Sequence, residues 1–216
     1  MKGSVFMLKI SQLILNLLFP STCLGCQKDG LIICQSCQEK IKIIPLSDSI
    51  EGINHCFIAC HYDDKPVTDL IKNFKYKNLQ GLANSLAQLM INRLQMEELP
   101  KEIVVIPVPL HKNRLKRRGY NQSQELAQHL AEYFNWELNL NLVRIRSTLP
   151  QASLNKIKRL KNIENAFSYQ GTNLSGRTVL LVDDVTTTGQ TLKWSAQPLK
   201  KAGATSILAI VIAKNI

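Results

Sequence analysis

Two spacings of apolar residues organise the chain. After Pro66, the apolar positions Val67, Leu70, Ile71 and Phe74 recur every three to four residues, with Lys72, Lys75 and Lys77 on the other side. That period predicts an amphipathic helix. It returns in Leu82, Leu86, Leu89 and Met90, which predicts a second helix over about 79–96. Residues 103–108 break the rhythm with a continuous apolar run, as expected of a strand buried on both faces of a parallel sheet. Residues 178–182 form a second such run, ending at Asp183-Asp184, and residues 205–213 a third. Cys56, Ile58 and Cys60 alternate within 55–62, which reads as a strand with both thiols in the core. Residues 140–144 are a shorter strand candidate. Helices are expected over 123–134 and 190–201, the latter disturbed late by Pro198 and capped by Gly203, and a basic helical segment over 153–162. Strands alternating with helices in this way predict a doubly wound parallel α/β sheet over 50–216. In such sheets ligands gather outside the carboxyl ends of the strands. The loops 109–122, 146–161 and 183–191 fall there.

Near the N-terminus, Leu13, Ile14, Leu17 and Leu18 share one helical face. Gln12 and Asn16 interrupt the apolar stretch, Pro20-Ser21-Thr22 is a poor cleavage site, and the run falls short of the ~20 residues a bilayer span needs. The reading is a short amphipathic helix over 1–19, with a membrane-surface helix as the alternative. No stable membrane insertion is expected. The expected location is the cytoplasm, where thiols stay reduced.

Composition narrows the picture. The chain has 216 residues, 45% of them apolar and 20% charged, with 10 Gly and 8 Pro, which excludes disordered and collagen-like classes. One domain plus a small appendage is the expectation for this length. Lys and Arg number 27 against 16 Asp and Glu, a formal charge of +11. That balance points to an anionic partner: a phosphorylated small molecule, a nucleic acid or a membrane surface.

The appendage has a chemical signature. Cys23-Leu-Gly-Cys26 and Cys34-Gln-Ser-Cys37 are two C-x-x-C knuckles, which bring four thiolates around one tetrahedral Zn²⁺. A four-thiolate site has no open coordination position, so a structural role is expected for a zinc ribbon over 20–45. A redox C-x-x-C pair is the alternative, but such a pair usually sits at the start of a helix after a strand, and no strand–helix pattern surrounds either pair in the sequence. His55 and His61 are imaginable as further ligands, though strand-end histidines are more often polar caps.

The strongest signal is the stretch from Val179 through Asp183-Asp184-Val185-Thr186-Thr187-Thr188-Gly189-Gln190-Thr191. A buried strand delivers two adjacent carboxylates at its carboxyl end. A Thr- and Gly-rich loop then turns into a helix N-terminus, where backbone N–H groups, hydroxyls and the helix dipole suit a phosphate monoester. The carboxylates are placed to accept hydrogen bonds from vicinal hydroxyls, so together the residues suit a ribose 5-phosphate. Neither a Walker loop nor a dinucleotide fingerprint is present.

This stretch resembles the phosphoribosyl pyrophosphate signature of type I phosphoribosyltransferases. Beyond it, residues 104–111, Arg114, Arg118-Gly119-Tyr120-Asn121-Gln122, Arg146, residues 148–151, Arg159, Asn162 and Ala166-Phe167 are similar to the ComF family of competence proteins, as is the four-cysteine module. The resemblance implies a type I phosphoribosyltransferase sheet with an N-terminal zinc ribbon. It implies phosphoribosyl pyrophosphate as ligand, with Mg²⁺ chelated by its diphosphate. Thr186, Thr187, Thr188, Gly189, Gln190 and Thr191 would hold the 5-phosphate. Asp183 and Asp184, the catalytic candidates, would hold the ribose hydroxyls. His111, Arg114, Arg118, Gly119, Tyr120, Asn121 and Gln122 would hold the diphosphate. Arg146, Gln151 and Arg159 mark a candidate lid. Asn165 departs from the family's Gly and is expected to take a positive φ. No residue identifies a nucleophile.

Residues 101–161 carry 12 Lys and Arg against 4 Asp and Glu, more than a small ligand requires. That surplus, with Tyr120, Phe167 and Tyr169 as stacking candidates, points to single-stranded DNA. Two expectations therefore stand side by side. One is a phosphoribosyl transfer releasing diphosphate. The other is a non-catalytic protein serving DNA uptake and natural transformation with DNA-uptake partners, the pyrophosphate site kept only for a ligand.

Overall fold

The computed structural model describes residues 22–76, 80–146 and 164–215. The sequence-predicted helices over 1–19 and 153–162, and the lid candidates Gln151 and Arg159, lie outside the described residues. The described residues form two compact units that part after Ile41.

The first unit is held by short-range backbone bonds. Thr22 and Asp29 form an antiparallel bridge, and the Cys23 N–H donates to the Lys28 carbonyl at 2.8 Å. One helical turn, α1 (Gln35–Gln38), follows with Cys34 as its N-cap residue.

The second unit is built on a six-stranded sheet. Its strands are β1 (Leu46–Asp48), β2 (His55–His61), β3 (Ile103–Pro107), β4 (Glu137–Leu138), β7 (Thr178–Thr186) and β8 (Ser206–Lys214). Their order is β1-β2-β8-β7-β3-β4, parallel throughout except for β1 on the edge. The apolar runs of β3, β7 and β8 become central strands because they are covered on both faces. On one face, Cys56, Ile58, Val104, Ile106, Val179, Leu181, Ala209 and Val211 pack against Leu192, Ala196 and Leu199 of α6 (Gln190–Lys201). α3 (Ala83–Leu94) and α5 (Gln122–Phe134) cover the other face, burying Leu86, Met90, Leu126 and Leu130. The helix 190–201 runs on past Pro198 to Lys201, so the proline neither breaks nor ends it. Cys56 and Cys60 are core residues, as their alternation predicts, and burial pushes both thiols up to about 12.

Two expectations change. Residues 142–144 do not join the main sheet. They form β5 (Leu142–Arg144), which pairs antiparallel with β6 (Phe167–Tyr169) in a separate ribbon. The stretch 109–122 is not a continuous loop, because seven of its residues coil into α4 (Lys112–Arg118). The last helix of the set, α2 (Lys65–Tyr76), buries Val67, Leu70, Ile71 and Phe74 on the predicted face.

Candidate functional site

The geometry of the site begins with unequal strand lengths. β3 leaves the ladder at Pro107, opposite Val182, and the Val108 N–H makes a last bond to the Val182 carbonyl at 2.9 Å. β7 continues, still paired to β8, through Asp183↔Val211 to Thr186↔Lys214. The sequence reading ended this strand at the acids, but Val185 and Thr186 also belong to it. Asp183 and Asp184 thus stand on the overshoot of a central strand, beside the gap left where β3 turns away. Pro109 follows Val108 and has no N–H with which to close that gap.

The gap is a cavity of about 350 Å³. It opens at the carboxyl ends of β2, β3, β7 and β8, where the topology places ligands. Its wall includes Asp183, Asp184 and the whole loop from Thr186 to Thr191. Arg114, Arg117 and Arg118 border it from the basic helix α4, Gln122 and Ser123 from the first turn of α5, Lys75 from α2 and Arg144 from β5.

The loop turns at Gly189, whose φ of 72° is left-handed and serves as the N-cap of α6. A Cβ there would lie 2.9 Å from the side chain of Ile50, so only glycine permits the turn. The first-turn N–H groups of α6 have no intrahelical partners, and Thr187 and Thr188 are exposed beside them. That is a cradle for an oxyanion at the positive end of a twelve-residue helix.

The acids are held differently. Ser123 Oγ donates to Asp183 Oδ1 at 2.8 Å, and the Asp184 N–H donates to the same oxygen at 2.9 Å. Burial, then the neighbouring Asp184 carboxylate, push the Asp183 carboxyl up to about 7. Asp184 is buried and forms an ion pair with Lys75, Nζ to Oδ1 2.9 Å. Arg144 lies with its guanidinium 5.3 Å from the Phe167 ring centre. Burial pulls it down to about 10, and the positive charge of Arg114 adds to that. Five cations and two carboxylates therefore line the cavity, which suits a polyanion with hydroxyl groups.

Four residues expected at the diphosphate do not border the cavity, and each has another job. His111 is buried and caps α4, its Nδ1 accepting the Asn113 N–H at 3.3 Å. Gly119 ends the same helix in a left-handed conformation. Asn121 Nδ2 donates to the Val108 carbonyl at 3.1 Å, which pins the turn after β3. Tyr120 is buried, its ring 5.6 Å from that of Phe74 and its hydroxyl donating to the Phe74 carbonyl. Tyr120 and Phe167 are therefore core aromatics, not stacking platforms for bases. Tyr169 is half-buried, and its hydroxyl accepts from Asn139 Nδ2 at 3.1 Å. Arg146 donates to the Glu164 carbonyl at 3.1 Å and does not line the cavity. Asn165 has the expected positive φ, 51°.

Sequence reasoning overlooked Lys75, Ser123 and Arg144 as site residues, while Arg117 lines the cavity as one of the cations of the basic run. Lys75 and Ser123 carried only helical phase as a signal, and Arg144 only its position at a strand end.

In the first unit, the Sγ atoms of Cys23, Cys26, Cys34 and Cys37 all lie within 4.8 Å of one another, with Cys26 and Cys34 at 3.7 Å. Tetrahedral Zn–S bonds of about 2.3 Å place sulfurs ~3.8 Å apart, so the set fits a metal such as zinc. The N–H groups of Gly25 and Cys34 both reach Cys23 Sγ at 3.4 Å. A Cβ on Gly25 would lie 2.7 Å from Cys37 Sγ, so the knuckle closes only over glycine. Burial opposes ionisation of Cys23, but N–H donors from Cys26, Cys34 and Gly25 outweigh it and hold that thiol at about 6. Cys37 is pushed up to about 12, first by its hydrogen bond with Cys34 and then by burial. His55 and His61 join no such group; among the described residues the four cysteines are the one cluster of this kind. No described helix is long and apolar enough to cross a membrane.

Comparison with known proteins agrees with this architecture. A phosphoribosyl transferase domain model matches residues 76–216. Competence protein F of Haemophilus influenzae is 33% identical over 222 residues, covering 88% of this chain and 95% of that protein. The DNA utilization protein YhgH of Escherichia coli is 34% identical over 149 residues, 66% of this chain and 64% of that one. Competence protein ComFC of Bacillus subtilis is 24% identical over 209 residues, 85% and 84% of the two chains. With a phosphoribosyl transferase domain joined to an N-terminal cysteine cluster, the chain belongs to the ComF family.

Proposed function

We propose that this protein binds phosphoribosyl pyrophosphate in the cavity at the end of β7 and serves DNA uptake in natural transformation. One observation carries the ligand: the acid pair, the Thr-Gly loop and the basic helix α4, the last remote in sequence from the other two, line a single cavity. Thr187, Thr188, Gly189 and Thr191 hold the 5-phosphate through hydroxyls and the first N–H groups of α6. Asp183 and Asp184 accept the ribose hydroxyls. Arg114, Arg117 and Arg118 face the diphosphate. The two carboxylates also supply the hard oxygen donors that suit Mg²⁺, which when bound spreads the charge of the diphosphate. The biological role follows the names of the relatives, two competence proteins and a DNA utilization protein. Zinc in the four-cysteine unit is structural in this reading.

The reaction such a site supports is displacement of diphosphate from ribose C1, driven by positioning and electrostatics. The test is direct. Purified full-length protein is titrated calorimetrically with phosphoribosyl pyrophosphate and Mg²⁺, beside an Asp183→Ala/Asp184→Ala variant. Micromolar binding lost in the variant supports the ligand; equal binding by both refutes it. A panel of nucleobases and ammonia then separates an enzyme from a ligand-binding competence protein. Diphosphate release above the variant's background identifies the former.

A further inference from the structure

Lys75 forms an ion pair with one of the two cavity acids, Asp184. It arrives from α2, an element otherwise outside the loops expected at the site. The pair is largely withdrawn from water, with 19% of the Lys75 side chain and 10% of the Asp184 side chain exposed. Its setting is fixed: Phe74, the preceding residue, is fully buried, and its carbonyl accepts the Tyr120 hydroxyl directly after α4. The last turn of α2 is thus fastened to the end of the basic helix. Lys75 shares the cavity wall with the acid it holds and with the arginines of α4.

Asp184 Oδ1 is paired with Lys75. A hydroxyl that needs that oxygen must compete with an ammonium in a poorly hydrated site. A multiply charged anion at α4 alters the competition, because the flexible lysine is drawn toward it and the carboxylate oxygen is released. From this geometry we infer that Lys75 is a specificity-determining residue, which makes capture of the ribose hydroxyls by Asp184 conditional on an occupied diphosphate subsite. The inference rests on the ribose and diphosphate assignments proposed above. Ribose 5-phosphate, which has the same sugar and 5-phosphate but no diphosphate, meets a locked Asp184. Phosphoribosyl pyrophosphate unlocks it.

The experiment compares both ligands, at fixed Mg²⁺, on the full chain and on Lys75→Met, Lys75→Gln and Lys75→Arg, by calorimetric titration. The readout is the preference for phosphoribosyl pyrophosphate, the Kd of ribose 5-phosphate divided by that of phosphoribosyl pyrophosphate, which a merely structural loss leaves unchanged. This ratio is expected to fall by on the order of tenfold or more in Lys75→Met, a coupling of ordinary size. Phosphoribosyl pyrophosphate weakens there, while ribose 5-phosphate binds equally well or better. Lys75→Gln follows Lys75→Met and serves if the latter does not fold. Lys75→Arg keeps the ratio within about threefold of the original protein. A ratio that stays put in both neutral variants, with both affinities falling in step, overturns the inference and leaves Lys75 as a scaffold for Asp184. Failure of the unaltered protein to bind phosphoribosyl pyrophosphate overturns the site assignment itself, and is seen before any Lys75 variant is measured.

Discussion

Replacing Asp183 by Asn should stabilise the protein, and by an amount that depends on pH. Asp183 carries its carboxyl at about 7 in the folded chain, against 3.8 for a free aspartate. Burial, then the charge of Asp184, is the cause. The folded state therefore keeps a proton that the unfolded chain has already released. The stability this represents is fully present below about pH 4 and is lost as pH rises through about 7. Three units at about 1.4 kcal/mol each set an upper bound of about 4 kcal/mol, part of which water in the cavity relieves. Asparagine does not titrate, and its Oδ1 can still accept from the Ser123 hydroxyl and the Asp184 N–H. The difference in Tm between Asp183→Asn and the original protein should be smallest near pH 4. It should grow through pH 7 and level off above pH 8 at several degrees, since 1 kcal/mol is worth about 2–4 °C at this size. Scanning calorimetry across pH 4–9 without ligand measures it. A difference that is flat with pH, or that favours Asp183 at pH 8, refutes the reasoning. The same substitution should abolish phosphoribosyl pyrophosphate binding, which makes Asp183 a residue kept at the expense of stability.

Other outcomes are equally definite. Gly189→Ala forces a Cβ against Ile50 in a left-handed turn, and should cost about 1–3 kcal/mol in urea unfolding together with most of the ligand affinity. Tyr120→Phe removes the hydroxyl that donates to Phe74, and should cost about 1 kcal/mol while leaving single-stranded DNA affinity unchanged. A drop in DNA affinity with intact stability would instead restore Tyr120 as a stacking residue. Elemental analysis should find one zinc per chain, with Cys26→Ser binding it at least about tenfold more weakly; less than one zinc with all four thiols reduced would contradict the metal site.

The parts of the fold that were legible are those with long, strict patterns. β3, β7 and β8 are apolar enough to be read as central strands, and the stripes of α2 and α3 give their phase directly. α4 was not legible because Leu115 is its one apolar residue, so no period exists to be read. The helix forms from its ends instead. His111 caps it, Gly119 stops it, and Lys116, Arg117 and Arg118 in the last turn meet the negative end of its dipole. β1, β4 and β6 span only two or three residues, too short for alternation to show. At the site, the phosphate loop was readable because strand, loop and helix are contiguous. Lys75 and Arg144 were not, because only the folded chain brings α2 and β5 to the end of β7.

The helix α4 also divides the positive charge that the composition announced. Arg114, Arg117 and Arg118 line the cavity. Lys112 and Lys116 do not, and both are exposed. The arginines suit the small ligand because a planar guanidinium grips phosphate in two places, whereas exposed lysines act as point charges toward a long polyanion. The two tasks proposed for the protein thus fall to different residues of one short helix, which a double substitution can separate. Lys112→Gln/Lys116→Gln should leave phosphoribosyl pyrophosphate affinity within about twofold. It should also make the fall of log K with log salt for single-stranded DNA shallower by about 1.4, or about 0.7 for each phosphate left without its lysine. If the slope holds while the small ligand weakens, the lysines belong to the cavity after all and the DNA-binding face must lie elsewhere. If neither changes, α4 serves the small ligand alone, and the surplus charge on it is only a solvated surface.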